Sequence, residues 1–499
     1  MLSFRRIRAA FAASAILAAA AFILTKNQDS SSGFRLLSVP APDSTNPLDF
    51  GLGANRVGIA AVRAGLLDAG RKGTITGILA KRWSTSDDFK VWRFEFRSGL
   101  RFENGDPIRP SDLAESWFWL ASRMREREDD TTVLADLEGY ERPDAAGRFP
   151  GIEFDELGIS LRFTHPQPAL LSRLSDPQLA LTHSRCRDST EGRWRCEREA
   201  VSSGPYRIVR WTDHELELVL RQDFPSQFRH PNAFRRITVG DSDGFRIDSD
   251  AAVGVSAIPP RQPGLQFHGG ASFTTGFAYC LSWTHPKSPC QSTRFRRVLR
   301  DRFYHHMERA GADFSRSFFP LAVSGIREPA LGNGEGDSPV PGLQGPLRVE
   351  TIHDLPGTPL RLKAGFSGAA KSLAIQLIEV PMESSRFSPQ LKSGLDTYDY
   401  DVVFMSSSFN ADDPESSIRS LFLSRDGARL ADPSGRIRKA LAKSPIDLPA
   451  IDAAISEDAV IWPVGTVSEG LWVRDEVDLS LLNPSAGALP LHWIGRRIY

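Results

Sequence analysis

The chain carries no net charge, because 61 Lys and Arg offset 61 Asp and Glu across 499 residues. That balance counts against a nucleic-acid binder, which shows a basic excess or stripe, and against an acidic solvating tail. Cysteine is scarce: there are four, and none of their spacings matches the two to four residues typical of zinc ligands. After residue 24 no apolar run is long enough to span a bilayer. Catalytic signatures are missing as well. "GDSDG" at 240–244 has the outline of a nucleophile elbow, but "FRIDSDAAVG" behind it is a poor helix and aspartates flank Ser242. "GNGEGDSP" lacks the Lys-Ser/Thr of a phosphate loop. His305 and His306 are neighbours on a helical pattern, where successive side chains point about 100° apart, so they do not face one ion. No enzyme, no cofactor and no metal are expected.

What is present begins at the N-terminus. Arg5, Arg6 and Arg8 precede sixteen residues, Ala9 to Leu24, broken only by Ser14, and then the polar "TKNQDSSSG". A basic stretch before a short apolar one is the layout of an export signal. The sequence predicts export, with the run either removed or kept as a membrane anchor. The cysteines agree with an oxidising compartment. Cys186 and Cys196 bracket nine residues, as do Cys280 and Cys290. Two local disulfides are expected, each stabilising its loop by about 2–4 kcal/mol.

Residues 88–120, "DFKVWRFEFRSGLRFENGDPIRPSDLAESWFWL", place three elements in a row. Trp92, Phe94 and Phe96 alternate with Arg93, Glu95 and Arg97, the pattern of a half-buried strand. Asn104-Gly105 suits a tight turn. Pro107 and Pro110 discourage a helix before Ser111, and Ser111-Asp112 with Glu115 reads as its cap. Leu113, Trp117, Leu120 and Met124 then share one apolar face. Further on, "YRIVRW" and "HELELVLRQDF" predict a hairpin, and "ASFTTGFAYCLSW" a strand. "TRFRRVLRDRFYHHMERAG" predicts a basic amphipathic helix whose Arg294, Arg296 and Arg297 form a solvated face. Helices are expected at 413–424 and 446–459, and strands over "PVGTVSEGLWVR" and the last twenty residues. At this length the chain can bury at least two cores.

The stretch "LAKRWSTSDDFKVWRFEFRSGLRFENGDPIRPSD", Leu79 to Asp112, resembles the signature of the bacterial extracytoplasmic solute-binding proteins of the peptide/nickel type, family five. Other landmarks follow in that family's order: "NPLDF", "SSGPYRIVRW", "FAYCLSW" with "TRFRRVL", "YDYDVVFMSSSFNADDPESSIRSLF" and "ISEDAVIWPV". The resemblance covers about residue 36 to the end and is weakest at 223–270 and 327–347.

This resemblance implies an α/β, two-lobed periplasmic-binding-protein fold, type II and similar to cluster C, with an extra subdomain on the first lobe. Lobe I would use 34–75, 201–262 and 477–499, the subdomain 76–200, and lobe II 263–476, with residues 1–33 as signal or anchor plus tether. It implies an extracytoplasmic, monomeric receptor of an ABC-type importer that closes on an oligopeptide or similar small solute and delivers it to permease subunits. The alternatives are an anchored module that senses or scaffolds, and a receptor for a metal chelate or sugar. In peptide-binding relatives a carboxylate lies four residues before the Pro of the Asp-Pro loop. Here that position is Asn410, with Asp412 and Asp413 near enough to substitute and Phe409 beside them. Phe277, Tyr279 and Trp283 fall on a strand that lines the cleft in relatives, and Asn55 and Arg56 in an early loop facing the ligand.

Overall fold

The structure, a computed structural model, describes residues 33–37, 42–49, 53–72, 74–127, 132–188, 192–196, 198–240, 252–255, 266–282, 285–312, 314–319, 325–326, 346–352, 361–381, 400–410, 414–423, 432–443, 446–483 and 489–498. The N-terminal apolar run, Asp412, Asp413, Trp283 and residues 241–244 of "GDSDG" lie outside the described residues. Among the described residues no helix is long and apolar enough to cross a membrane.

The chain opens with β1 (Gly33–Leu37), α1 (Gly53–Val62) and the short pair β2 (Leu67–Asp68) and β3 (Thr76–Gly77). It then builds a small body. β4 (Ala80–Thr85), β5 (Val91–Phe96), β6 (Ile152–Phe154) and β7 (Gly158–Arg162) form an antiparallel sheet in the order β4-β5-β7-β6, with α2 (Pro110–Glu126) packed on it. Trp92 and Phe94 of β5 are buried against Leu113, Trp117, Leu120 and Met124 of α2, as the period of each segment requires. Arg93 points outward and pairs with Asp155. The helix begins one residue earlier than expected. Pro110 opens it, and the Arg109 N–H donates to Asp112 Oδ2 at 2.7 Å. Proline suits a first helical position, since its fixed φ is already helical and no N–H is needed there.

After the one-turn α3 (Leu170–Arg173) the chain enters a large sheet. β8 (Tyr206–Trp211) and β9 (Glu215–Leu220) form the expected hairpin, with Leu216 and Leu218 buried. Next come β10 (Arg236–Gly240), β11 (Ala252–Val255), β12 (Gln266–Tyr279), α4 (Thr293–Arg309), β13 (Leu347–Glu350), α5 (Leu362–Ser372), β14 (Leu377–Val380) and β15 (Val403–Asn410). The remainder is α6 (Pro414–Leu423), α7 (Arg436–Leu441), α8 (Leu448–Asp458), β16 (Ile461–Val473) and the short pair β17 (Val477–Asp478) and β18 (Gly495–Arg496). The expected C-terminal strands shrink to that pair, because Leu491–Trp493 forms a 3-10 turn that buries its side chains. The sheet order is β15-β12-β16-β11-β1-β10-β9-β8, with β1 parallel to both its neighbours and every other pair antiparallel.

Buried apolar residues fall into separate clusters, which gives the molecule its lobes. Leu36, Val57, Tyr206, Leu216, Ile237 and Trp493 make the lobe I core. In lobe II the sheet buries both faces. Phe277, Phe318, Phe409, Ile418 and Ile451 lie on one side, and Phe295, Phe303, Phe366, Val402 and Trp462 on the other. α4 and α5 approach closely at Gly365, where a Cβ would stand 2.6 Å from Met307 Cγ. Arg296 corrects the solvated face expected of α4. It is 2% exposed and donates to the carbonyls of Asp458, Cys290 and Gln291. A basic-looking helix therefore spends one guanidinium on closing loop carbonyls.

Cys186 and Cys196 form the first expected disulfide, with Cα atoms 5.0 Å apart. The second does not form: Cys280 and Cys290 are buried free thiols. They sit inside the lobe II core rather than on an exposed loop, and the Cys290 thiol donates to Asp401 O at 3.5 Å. Burial pushes the Cys290 thiol well up, and neighbouring Cys280 and Asp401 push it further.

Candidate binding cleft

Two long strands, β12 and β16, pass from the lobe I core to the lobe II cores. Leu471 and Val473 of β16 belong to lobe I, while its Ile461, Trp462 and Val464 belong to lobe II. β12 follows the same path, ending in Phe277 and Tyr279. At the crossing Gly269 faces Gly470, and the register slips between Gly269 and Phe273. Two facing glycines bring no side chains to stiffen the ladder, and a slipped register weakens it locally. Just beyond, Thr275 is fully buried and its Oγ1 lies 3.2 Å from Thr466 Oγ1. The crossing is therefore tied by side chains on its lobe II side at Thr275 and Thr466 and on its lobe I side by the rings of Phe267 and Trp472, 5.0 Å apart, with none at the glycine pair between them.

β15 lies beside this crossing as the last strand of the sheet, paired with β12 from Val403 to Asn410. Among the described residues its outer edge is paired only at its start. Val402 bridges to Val349, the Glu350 N–H donates to Val402 O at 3.0 Å, and the Phe404 N–H donates to Glu350 Oε2 at 2.9 Å. From Met405 to Asn410 no further strand pairs with that edge among the described residues. An open strand edge is a template for an extended chain.

The structure separates the residues singled out in the sequence. Phe277, Tyr279 and Phe409 come together, but in the lobe II core. Phe318 packs on Phe277 and on Phe409, with ring centroids 5.4 Å apart in both pairs, and Phe319 lies 5.8 Å from Phe409. Asn410 ends β15, opposite Ser272 of β12. Asn55 is buried and fully engaged: its Oδ1 accepts from the N–H groups of Asp43 and Ser44, and its Nδ2 donates to Asp43 Oδ1 and Asp49 O. Arg56, half-buried, faces Asp176, whose pKa burial raises and Arg56 pulls back. Among the described residues no group of three or more His, Cys, Asp or Glu could hold a metal ion.

Sequence reading missed two features. One is the facing glycine pair, signalled by Gly269-Gly270 and Gly470 inside otherwise strand-like runs. The other is Asp401, completely buried, which accepts from Ser288 Oγ, Ser282 Oγ and the Arg348 N–H and so ties β13 and the thiol loop to β15. No local pattern announces it, because its partners come from two distant segments, the Ser282–Ser288 loop and the start of β13.

The sequence model of the bacterial extracellular solute-binding proteins, family 5 (middle), matches residues 74–240. The dipeptide-binding protein DppE of Bacillus subtilis is 24% identical over 191 residues, 36% of this chain, and the match spans about a third (34%) of that relative. The fold extends over nearly the whole chain. The murein tripeptide binding protein MppA of Escherichia coli superposes with a TM-score of 0.73 at 15% identity, covering 94% of this chain and 99% of MppA. Its unliganded open form superposes less well, at 0.57 with 15% identity and coverage of 93% and 97%. Haemophilus influenzae OppA, in complex with the peptide RPPGFSPFR, gives 0.70 at 14% identity, covering 93% of this chain and 99% of OppA. The two-lobed α/β architecture is thus that of periplasmic binding proteins.

Proposed function

We propose that this chain, a divergent member of the bacterial extracellular solute-binding proteins of family 5, encloses an extended peptide or similar small solute between its two lobes. It then delivers that solute, unaltered, to the membrane permease of an ABC-type importer. The observation that carries the reading is the pairing of a loose crossing with an open strand edge. Gly269 of β12 faces Gly470 of β16 next to a slip in register, and β15 with Met405–Asn410 is the neighbouring strand of β12. Main-chain pairing along that edge would grip a peptide with little regard to its side chains. Closure of the second lobe would complete the contacts, so ligand shifts the balance between open and closed forms. The better superposition on peptide-bound OppA than on open MppA supports an arrangement near the closed one.

Asn410 occupies the position where peptide-binding relatives carry a carboxylate, so a free amino terminus meets a neutral amide there. Asp412 and Asp413 are the candidates to replace it. The partition into lobe I (34–75, 201–262, 477–499), a subdomain (76–200) and lobe II (263–476) places the crossing at the boundary of the last segment. The protein works outside the cytoplasm as a monomer, released or held by its N-terminal apolar run.

Mass spectrometry of solutes released from natively purified full-length protein tests this reading. Recovery of mixed short peptides is the expected result. A single metal chelate or sugar, or a solute chemically changed by the protein, would overturn it.

A further inference from the structure

The seam between lobe I and the small-sheet body holds a buried cation. Arg63 follows α1, is 5% exposed, and pairs with no carboxylate among the described residues. One of its Nη groups donates to Thr45 O, and the other has no hydrogen-bond partner. A buried charge without a counter-ion is costly, so the group facing it matters. That group is the indole of Trp194, whose ring centre lies 4.8 Å from the guanidinium carbon. The same indole lies against Trp119 of α2, with centroids 5.7 Å apart, and its Nε1–H donates to Cys196 O at 2.8 Å. Cys196 O also accepts from Thr45 Oγ1 at 2.5 Å. Cys196 itself is bonded to Cys186, ten residues back. The intervening loop is largely polar, with Arg195 paired to Asp188, and it has no apolar core of its own to hold its shape.

We infer that the Cys186–Cys196 loop is a covalently set latch, which fixes the small-sheet body on lobe I by presenting Trp194 to Arg63 on one side and to Trp119 on the other. The segment Pro42–Asp49 depends on this latch for its order. Asn55 and Arg63 tie that segment to lobe I, and its hydrogen bonds across the seam run from Thr45 to the carbonyls of Cys196 and Glu199 and from Gln178 to Pro47 O. The crosslink matters because it removes the freedom of a short polar loop to swing Trp194 away.

Hydrogen exchange on the full chain tests the latch, with peptides covering 42–49 as the probe and 113–124 of α2 as the reference. Trp194→Ala, with the disulfide intact, is expected to speed exchange in 42–49 at least about tenfold and to leave 113–124 unchanged. Cys186→Ser with Cys196→Ser is expected to do the same. Unchanged exchange in 42–49 for Trp194→Ala would overturn the inference. So would equal loss of protection in both regions, which would make Trp194 a general core residue rather than a latch.

Discussion

Lobe I has two neighbours and is joined to them in opposite ways. Its seam with the small-sheet body is bonded side chain by side chain. Arg221, 4% exposed, reaches across to the Arg101 carbonyl at 2.8 Å, and on its own side donates to the carbonyls of Ser202 at 2.9 Å and Gly204 at 3.2 Å and grips Asp223. Glu103 exchanges two hydrogen bonds with Ser202, each 2.8 Å. Ala64 binds Leu181 and Ser203, and Gln178 reaches Pro47 O. Towards lobe II, by contrast, run β12 and β16 with glycine facing glycine. If closure occurs as proposed, this contrast predicts that lobe I and the small-sheet body move together and that lobe II turns against them.

The largest expected effect comes from the lobe II core rather than from either junction. Phe409→Ala should cost about 3–5 kcal/mol in denaturant unfolding, because its ring fills the space between Phe318 and Phe319. If Phe409 instead contacts solute, peptide affinity will fall with little loss of stability. At the seam, Arg221→Ala should cost about 3 kcal/mol, since it removes a buried guanidinium that bonds three carbonyls and the Asp223 carboxylate at once. A value within 0.5 kcal/mol of zero, roughly the effect of an ordinary surface change, would mean the seam is not held there.

The crossing calls for a kinetic test. Gly269 and Gly470 face each other, at about the 4.5–5.5 Å expected of directly opposed residues and within disulfide range. Gly269→Cys with Gly470→Cys, once oxidised, should slow solute exchange at least about tenfold, which is about 1.4 kcal/mol. Reduction should restore it, and equal rates in both states would place the bend elsewhere.

Acid should act on the rigid unit first. Burial alone would raise Asp68, but the charge and hydrogen bond of His492, with the Gly70 and Trp493 N–H groups, hold it below its ordinary value. The hydrogen bond from Arg221 lowers Asp223 in the same sense. A carboxylate depressed in the folded state stabilises fully above its unfolded pKa and loses that contribution as pH falls through the folded one. Thermal stability should therefore be flat above about pH 4 and decline below it. A decline already under way well above pH 4 would contradict this.

Much of the fold was legible in the sequence because its signals are local. Trp92 and Phe94 alternate with charges, Leu113 to Met124 follow helical spacing, and Leu216 and Leu218 share a strand face, and each segment buries the side chains that its pattern marks. The site was far less legible. Aromatic residues on β12 and β15 look alike whether they face a guest or a core, and only the position of Phe318, forty-one residues beyond Phe277, decides it. Asn55 looked available until the Asp43–Asp49 segment folded back to use every one of its groups. Cysteine spacing predicted both bridges equally, yet only the pair on the polar loop is bonded.

The most direct test of the account measures two distances in one protein by pulsed electron spin resonance, before and after adding a mixture of short peptides. Spin labels at the exposed positions Glu156, Arg207 and Lys371 report on the small-sheet body, lobe I and lobe II. The account predicts a shift in the Arg207–Lys371 distance with the Glu156–Arg207 distance unchanged. A change confined to Glu156–Arg207, or no change in either while peptide is bound, would contradict it.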